Sequence, residues 1–152
     1  MKTRTEILEL TQEDLVDLFS TATYGSLWLA IHAQDREGVE INENDCREDI
    51  WAKCLLAGKS IICTDLNSEG EWNYGNLPSR VDDEGYVEYS VNLQNIKDGL
   101  SKCADGDFDY HGTENDFLSE CFFNFRSNNG DFDNLQAECV MQVVIFGEII
   151  YG

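Results

Sequence analysis

Apolar residues recur at helical spacing in several stretches of the chain, and shorter apolar runs between them suit strands. Thr11-Gln-Glu-Asp14 has the capping-box form, and Leu15, Val16, Leu18 and Phe19 follow at helical spacing, which predicts a helix over 12–22 that closes at Tyr24-Gly25. Ser26–His32 is a short apolar run of the buried-strand kind. Asp45 is placed to cap a second helix through about Ala57, with Ile50, Trp51, Cys54 and Leu55 on one face and Gly58 as the stop. Ser60–Asp65 then reads as a strand, and the Asn-, Ser-, Gly- and Asp-rich stretch 66–85 as a loop or long hairpin carrying Trp72 and Tyr74. Tyr86–Tyr89 alternates like a strand. Asn92 caps a third helix with Leu93, Ile96 and Leu100 inward. A fourth helix over about 114–125 holds Phe117, Leu118, Cys121 and Phe122, and a fifth over about 132–146 holds Leu135, Cys139, Val143 and Phe146. Gly147 breaks that helix before Ile149–Tyr151, read as a final strand.

Helices and strands interleave without regular βαβ spacing or a Gly-rich phosphate loop. The expectation is an α+β fold: a single domain over 1–152, with about five helices packed on a small, mainly antiparallel sheet. Six cysteines show no C-x-x-C and no zinc-type spacing, so they read as reduced thiols of a cytoplasmic protein. The N-terminus lacks a signal-peptide core, and no window approaches the apolar length of a membrane span.

Charge changes the picture most. Ten Lys and Arg stand against thirty Asp and Glu, a formal net charge of −20, while 42% of residues are apolar. That much apolar material indicates a folded protein and not an acidic disordered tail. The charge opposes direct binding to nucleic acid or anionic lipid, since phosphate contacts need clustered Lys and Arg. The acids are spread over the whole chain, with seven in each of three largely loop segments, 34–49, 65–88 and 98–120. A uniform spread of the charge is several-fold more dilute than that of duplex DNA, so mimicry of a nucleic acid requires the carboxylates to gather on one face.

Catalytic and metal chemistry find little support. His32 and His111 are the only histidines, no G-x-S-x-G elbow occurs, and with thirty carboxylates a nearby acid/base pair is expected by chance. Asp105–Asp116 places carboxylates at positions 1, 3, 5 and 12 of a calcium loop, but position 6 is Tyr110 where Gly is needed, position 12 is a short Asp, and no second hand exists. No metal and no cofactor is expected.

Cys46-Arg-Glu-Asp-Ile-Trp-Ala-Lys-Cys-Leu-Leu-Ala-Gly58, the Ile61-Ile62 strand and the ending Phe146-Gly-Glu-Ile-Ile-Tyr-Gly152 resemble a loose group of short acidic proteins carried by bacterial phages and integrative mobile elements. The resemblance covers about a third of the chain and transfers no site residues. It implies a mobile-element setting, in which small acidic proteins often inhibit host defence nucleases. The expected function is therefore a non-enzymatic, anti-CRISPR or anti-restriction inhibitor that occupies a basic nucleic-acid-binding surface. Asp82, Asp83 and Glu84 form the densest acidic triplet. Asp105, Asp107 and Asp109 would align on one side of an extended backbone at about 6.6–6.8 Å intervals. Trp72 and Tyr74 are the expected apolar anchors. The alternatives are an immunity protein that neutralises a basic toxin nuclease, or an acidic structural or adaptor protein without mimicry.

Overall fold

The computed structural model describes residues 9–68, 77–105, 109–110, 113–114, 117–127 and 130–151. Helix α1, Gln12–Thr23, starts at the expected capping box: the Thr11 hydroxyl accepts from the Asp14 amide at 3.1 Å, and the Asp14 carboxylate accepts from the Thr11 amide at 3.0 Å. It buries Leu15, Leu18, Phe19 and Ala22. Strand β1, Leu29–His32, leads through the 33–46 loop to α2, Arg47–Leu56. This helix is capped at Cys46, whose amide donates to the Asp49 carboxylate at 3.2 Å. Asp45, the expected cap, is drawn away: its carboxylate accepts from Lys53 Nζ at 2.5 Å and from the Asn42 amide at 2.8 Å.

The strands β2, Ile61–Asp65, β3, Ser79–Val81, and β4, Val87–Val91, join β1 in an antiparallel sheet of order β1-β2-β4-β3. Its register pairs Ile61 with Val91 and Asp65 with Val87, so Ile61, Cys63, Val87, Tyr89 and Val91 all point to one face, where they are buried. Helices α3, Leu93–Asp105, α4, Phe117–Ser127, and α5, Asn134–Phe146, follow. Asn92 and Asn95 cap α3 reciprocally at 2.9 Å, and Asp133 caps α5. A two-residue ladder, β5 (Asp109–Tyr110) with β6 (Thr113–Glu114), lies between α3 and α4. The fold is thus α+β, with five helices and a four-stranded antiparallel sheet among the described residues.

Helix α5 is the central element, packing against α1, α3 and α4. Its Phe146 meets Tyr89 of the sheet edge-on at 5.5 Å and Trp28 at 5.7 Å. The α3–α5 crossing is so close that a Cβ on Gly99 would stand 2.8 Å from the Val144 Cα, which is why glycine occupies the position. Gly147, at φ 81°, ends the helix in the left-handed region.

Two further expectations need correction. Ile149–Tyr151 is no strand: the buried Gln142 Oε1 accepts from the Ile150 and Tyr151 amides at 2.9 and 2.7 Å, taking the place of a ladder, and the Tyr151 hydroxyl donates to Asp65 at 2.5 Å. Leu135, expected inward on the fifth helix, is exposed because it sits in the first turn, on the solvent side of the buried residues that begin at Ala137. The cysteines are free, and all but Cys46 are buried. Desolvation raises the Cys103 thiol to about 12 and the Cys139 thiol to about 11, so both stay protonated and behave as small apolar groups.

Candidate interaction surface

The face of the sheet turned away from the helices carries Ala30, His32, Ile62, Thr64, Arg80, Glu88 and Ser90, as the register requires. Two contiguous hollows of about 500 and 260 Å³ lie on it; both reach Arg80 and Glu88, and no helical residue lines either. Arg80 is exposed and forms an ion pair with the buried Glu88 across the β3–β4 ladder. His32 and Ser90 point to this face from strands two apart, about 9–10 Å by strand spacing, too far for direct proton transfer.

The expected triplet forms the rim of the larger hollow. Within it the residues differ. The Asp82 carboxylate accepts from the Glu84 and Tyr86 amides, both at 2.9 Å, and the Asp82 amide donates to the Tyr86 carbonyl at 2.8 Å. Asp82 therefore builds the turn, and Asp83 and Glu84 are the carboxylates presented to solvent. The second expected row departs from its reading at the start. Asp105 is the last residue of helix α3, so the backbone there is not extended, and it lines a separate cleft between α3 and α5 that shares no residue with the triplet's hollow. Asp107, Trp72 and Tyr74 lie outside the described residues, as does the Asp109 side chain. Within the 105–116 segment, where calcium found little support in the sequence, the described residues pair as Asp109 with Glu114 and Tyr110 with Thr113, and Asp107 and Asp116 lie outside the described residues.

In the 34–49 segment, Asp35 pairs with Lys59 at 3.0 Å and Asp45 with Lys53. Those lysine hydrogen bonds hold both carboxyls below the ordinary aspartate range. Hydrogen bonds from Cys46 and Gln12 do the same for Asp49. Glu37, Glu40 and Glu43 remain exposed between them. Elsewhere Arg47 pairs with Glu48 and Arg126 with Asp14. Basic side chains are thus repeatedly matched to a neighbouring acid, which leaves the excess carboxylates to set the field outside the protein.

No family model, curated protein or solved structure matches this chain. No helix among the described residues is long and apolar enough to cross a membrane, and no group of three or more described His, Cys, Asp or Glu side chains is arranged to hold a metal ion.

Sequence reasoning missed three exposed apolar residues: Tyr24, Leu27 and Leu135, which are 81%, 87% and 57% exposed. The available signal was the absence of any Lys or Arg from 12–35 and from 127–152, the two segments that carry them.

Proposed function

We propose that this chain is a non-enzymatic inhibitor that covers the basic nucleic-acid-binding surface of a bacterial defence protein, a CRISPR effector or restriction nuclease, with carboxylates in place of phosphates. The observation that supports it is the pairing of Arg47, Lys53, Lys59, Arg80 and Arg126 with carboxylates, while Glu37, Glu40, Glu43, Asp83 and Glu84 face solvent. Averaged over the accessible surface of 8636 Å², the net charge is about one per 430 Å², so the attraction comes from local carboxylate groups and not from the mean. Such a surface steers onto a basic cleft at rates that fall with salt. The test is a gel-shift panel of purified CRISPR effectors and restriction nucleases with their cognate DNA. The reading predicts that at least one loses DNA binding at near-stoichiometric amounts of this protein; a panel in which every complex survives a large excess contradicts it.

A further inference from the structure

The C-terminus of α1 and the N-terminus of α5 meet at a corner where the Asn134 side-chain amide donates to the Thr21 and Tyr24 carbonyls, both at 2.9 Å. Leu135 is the next residue in the chain, and Leu27 lies three residues beyond Tyr24 in the turn that leads to β1. A hollow of about 300 Å³ opens beside Tyr24, lined also by Ser20, Thr21 and Asn134. Apolar side chains this exposed add little to folding; Tyr24 lines the hollow, and Leu27 and Leu135 lie close along the chain to the residues that line it, an arrangement that has the form of a binding anchor.

The surroundings state what kind of partner fits. The two segments that build the corner contain no Lys or Arg. Asp17 stands one turn before Thr21 on α1, Asp133 directly precedes Asn134 and Asp131 lies two residues before Asp133; all three are exposed. The carbonyl end of α1 carries further partial negative charge and has no basic residue in its last turn. A second copy of the chain would bring −20 against −20 and is repelled.

We infer that the Tyr24–Leu27–Leu135 corner is the apolar anchor for a partner surface in which basic residues surround an apolar centre. The inference rests on the functional reading above for the identity of the partner and deepens it by placing the anchor away from the Asp83–Glu84 rim.

The test uses the intact protein and a synthetic amphipathic helical peptide of lysine and leucine, with a lysine-only peptide of equal charge as comparison. Backbone amide shifts should move at Tyr24, Leu27, Asn134 and Leu135 on titration with the amphipathic peptide. The triple variant Tyr24→Ser, Leu27→Ser, Leu135→Ser should melt like the parent and bind about tenfold more weakly. The lysine-only peptide should bind weakly and without a localised footprint. Shifts centred on Asp83 and Glu84 or on 37–43, unchanged affinity of the triple variant, or equal binding of the two peptides at the corner each overturn the inference. A nuclease panel left uninhibited while the peptide footprint stands sinks the functional reading alone. An inhibited nuclease with no peptide footprint sinks the corner alone.

Discussion

The two ends of α5 live under opposite constraints. At its C-terminal end, Val140 to Phe146 are all buried, Val144 touches the Gly99 backbone position, and Gln142 ties down the tail. At its N-terminal end, Leu135 faces solvent, while the Asp133 cap, the Asn134 amide and the Gln136 side chain, which accepts from Asn124, tie the first turn to its surroundings. The difference teaches where to look for function in a chain this acidic. Residues at the buried end are explained by folding, and an exposed leucine at the other end is not.

Substitutions can sharpen that contrast. The largest loss is expected for Trp51→Ala, which empties the site that Trp51 fills against Phe19 at 5.9 Å and should cost about 3–5 kcal/mol in urea denaturation. Gly99→Val comes next, at about 3 kcal/mol, because a side chain there is driven into the Val144 backbone. A loss below about 1 kcal/mol would show that α3 and α5 can part at little cost. Gln142→Ala should cost about 2 kcal/mol by leaving the Ile150 and Tyr151 amides without their acceptor, and should release Tyr151 from Asp65, read as faster amide exchange at 150–151. At the other end, Leu135→Ser should change stability by less than about 0.5 kcal/mol; a larger loss would make Leu135 part of the core and erase the contrast.

The smallest effect has the opposite sign. Partial burial, with Asp14 and Glu13 nearby, raises the Asp17 carboxyl above its ordinary value. The folded state then holds that proton more tightly than the unfolded chain, so stability falls as pH rises from the ordinary aspartate value through the raised one. Asp17→Asn should therefore raise the melting temperature slightly at neutral pH and remove this part of the decline. Asp35, Asp45 and Asp49 behave inversely: their lowered carboxyls support the fold at neutral pH, and that support is lost as acid protonates them below the ordinary value.

Local signals made much of the fold legible. The capping box at Thr11–Asp14, the Asn92 cap and the Gly147 stop each act within one turn, so sequence spacing alone reveals them. The misreadings came from long-range partners. Lys53 competes for Asp45 and leaves the α2 cap to Cys46, and Gln142 captures a tail whose apolar run reads as a strand. For the site, the Asp82–Glu84 triplet was legible as a rim, but the two amides that occupy the Asp82 carboxylate depend on the turn's closure and leave no mark in the composition. The Tyr24–Leu27–Leu135 corner joins residues more than a hundred positions apart, and only the α1–α5 packing brings them together.

The central claim is that this protein and a nucleic acid compete for one basic surface. Fluorescence anisotropy of labelled cognate DNA on a nuclease from the inhibited panel, titrated with this protein at several salt concentrations, measures that directly. The account predicts that the DNA is displaced completely, that saturating DNA excludes the protein in return, and that the protein's affinity falls steeply with added salt. A stable ternary complex with the DNA still bound, or an affinity indifferent to salt, would contradict it.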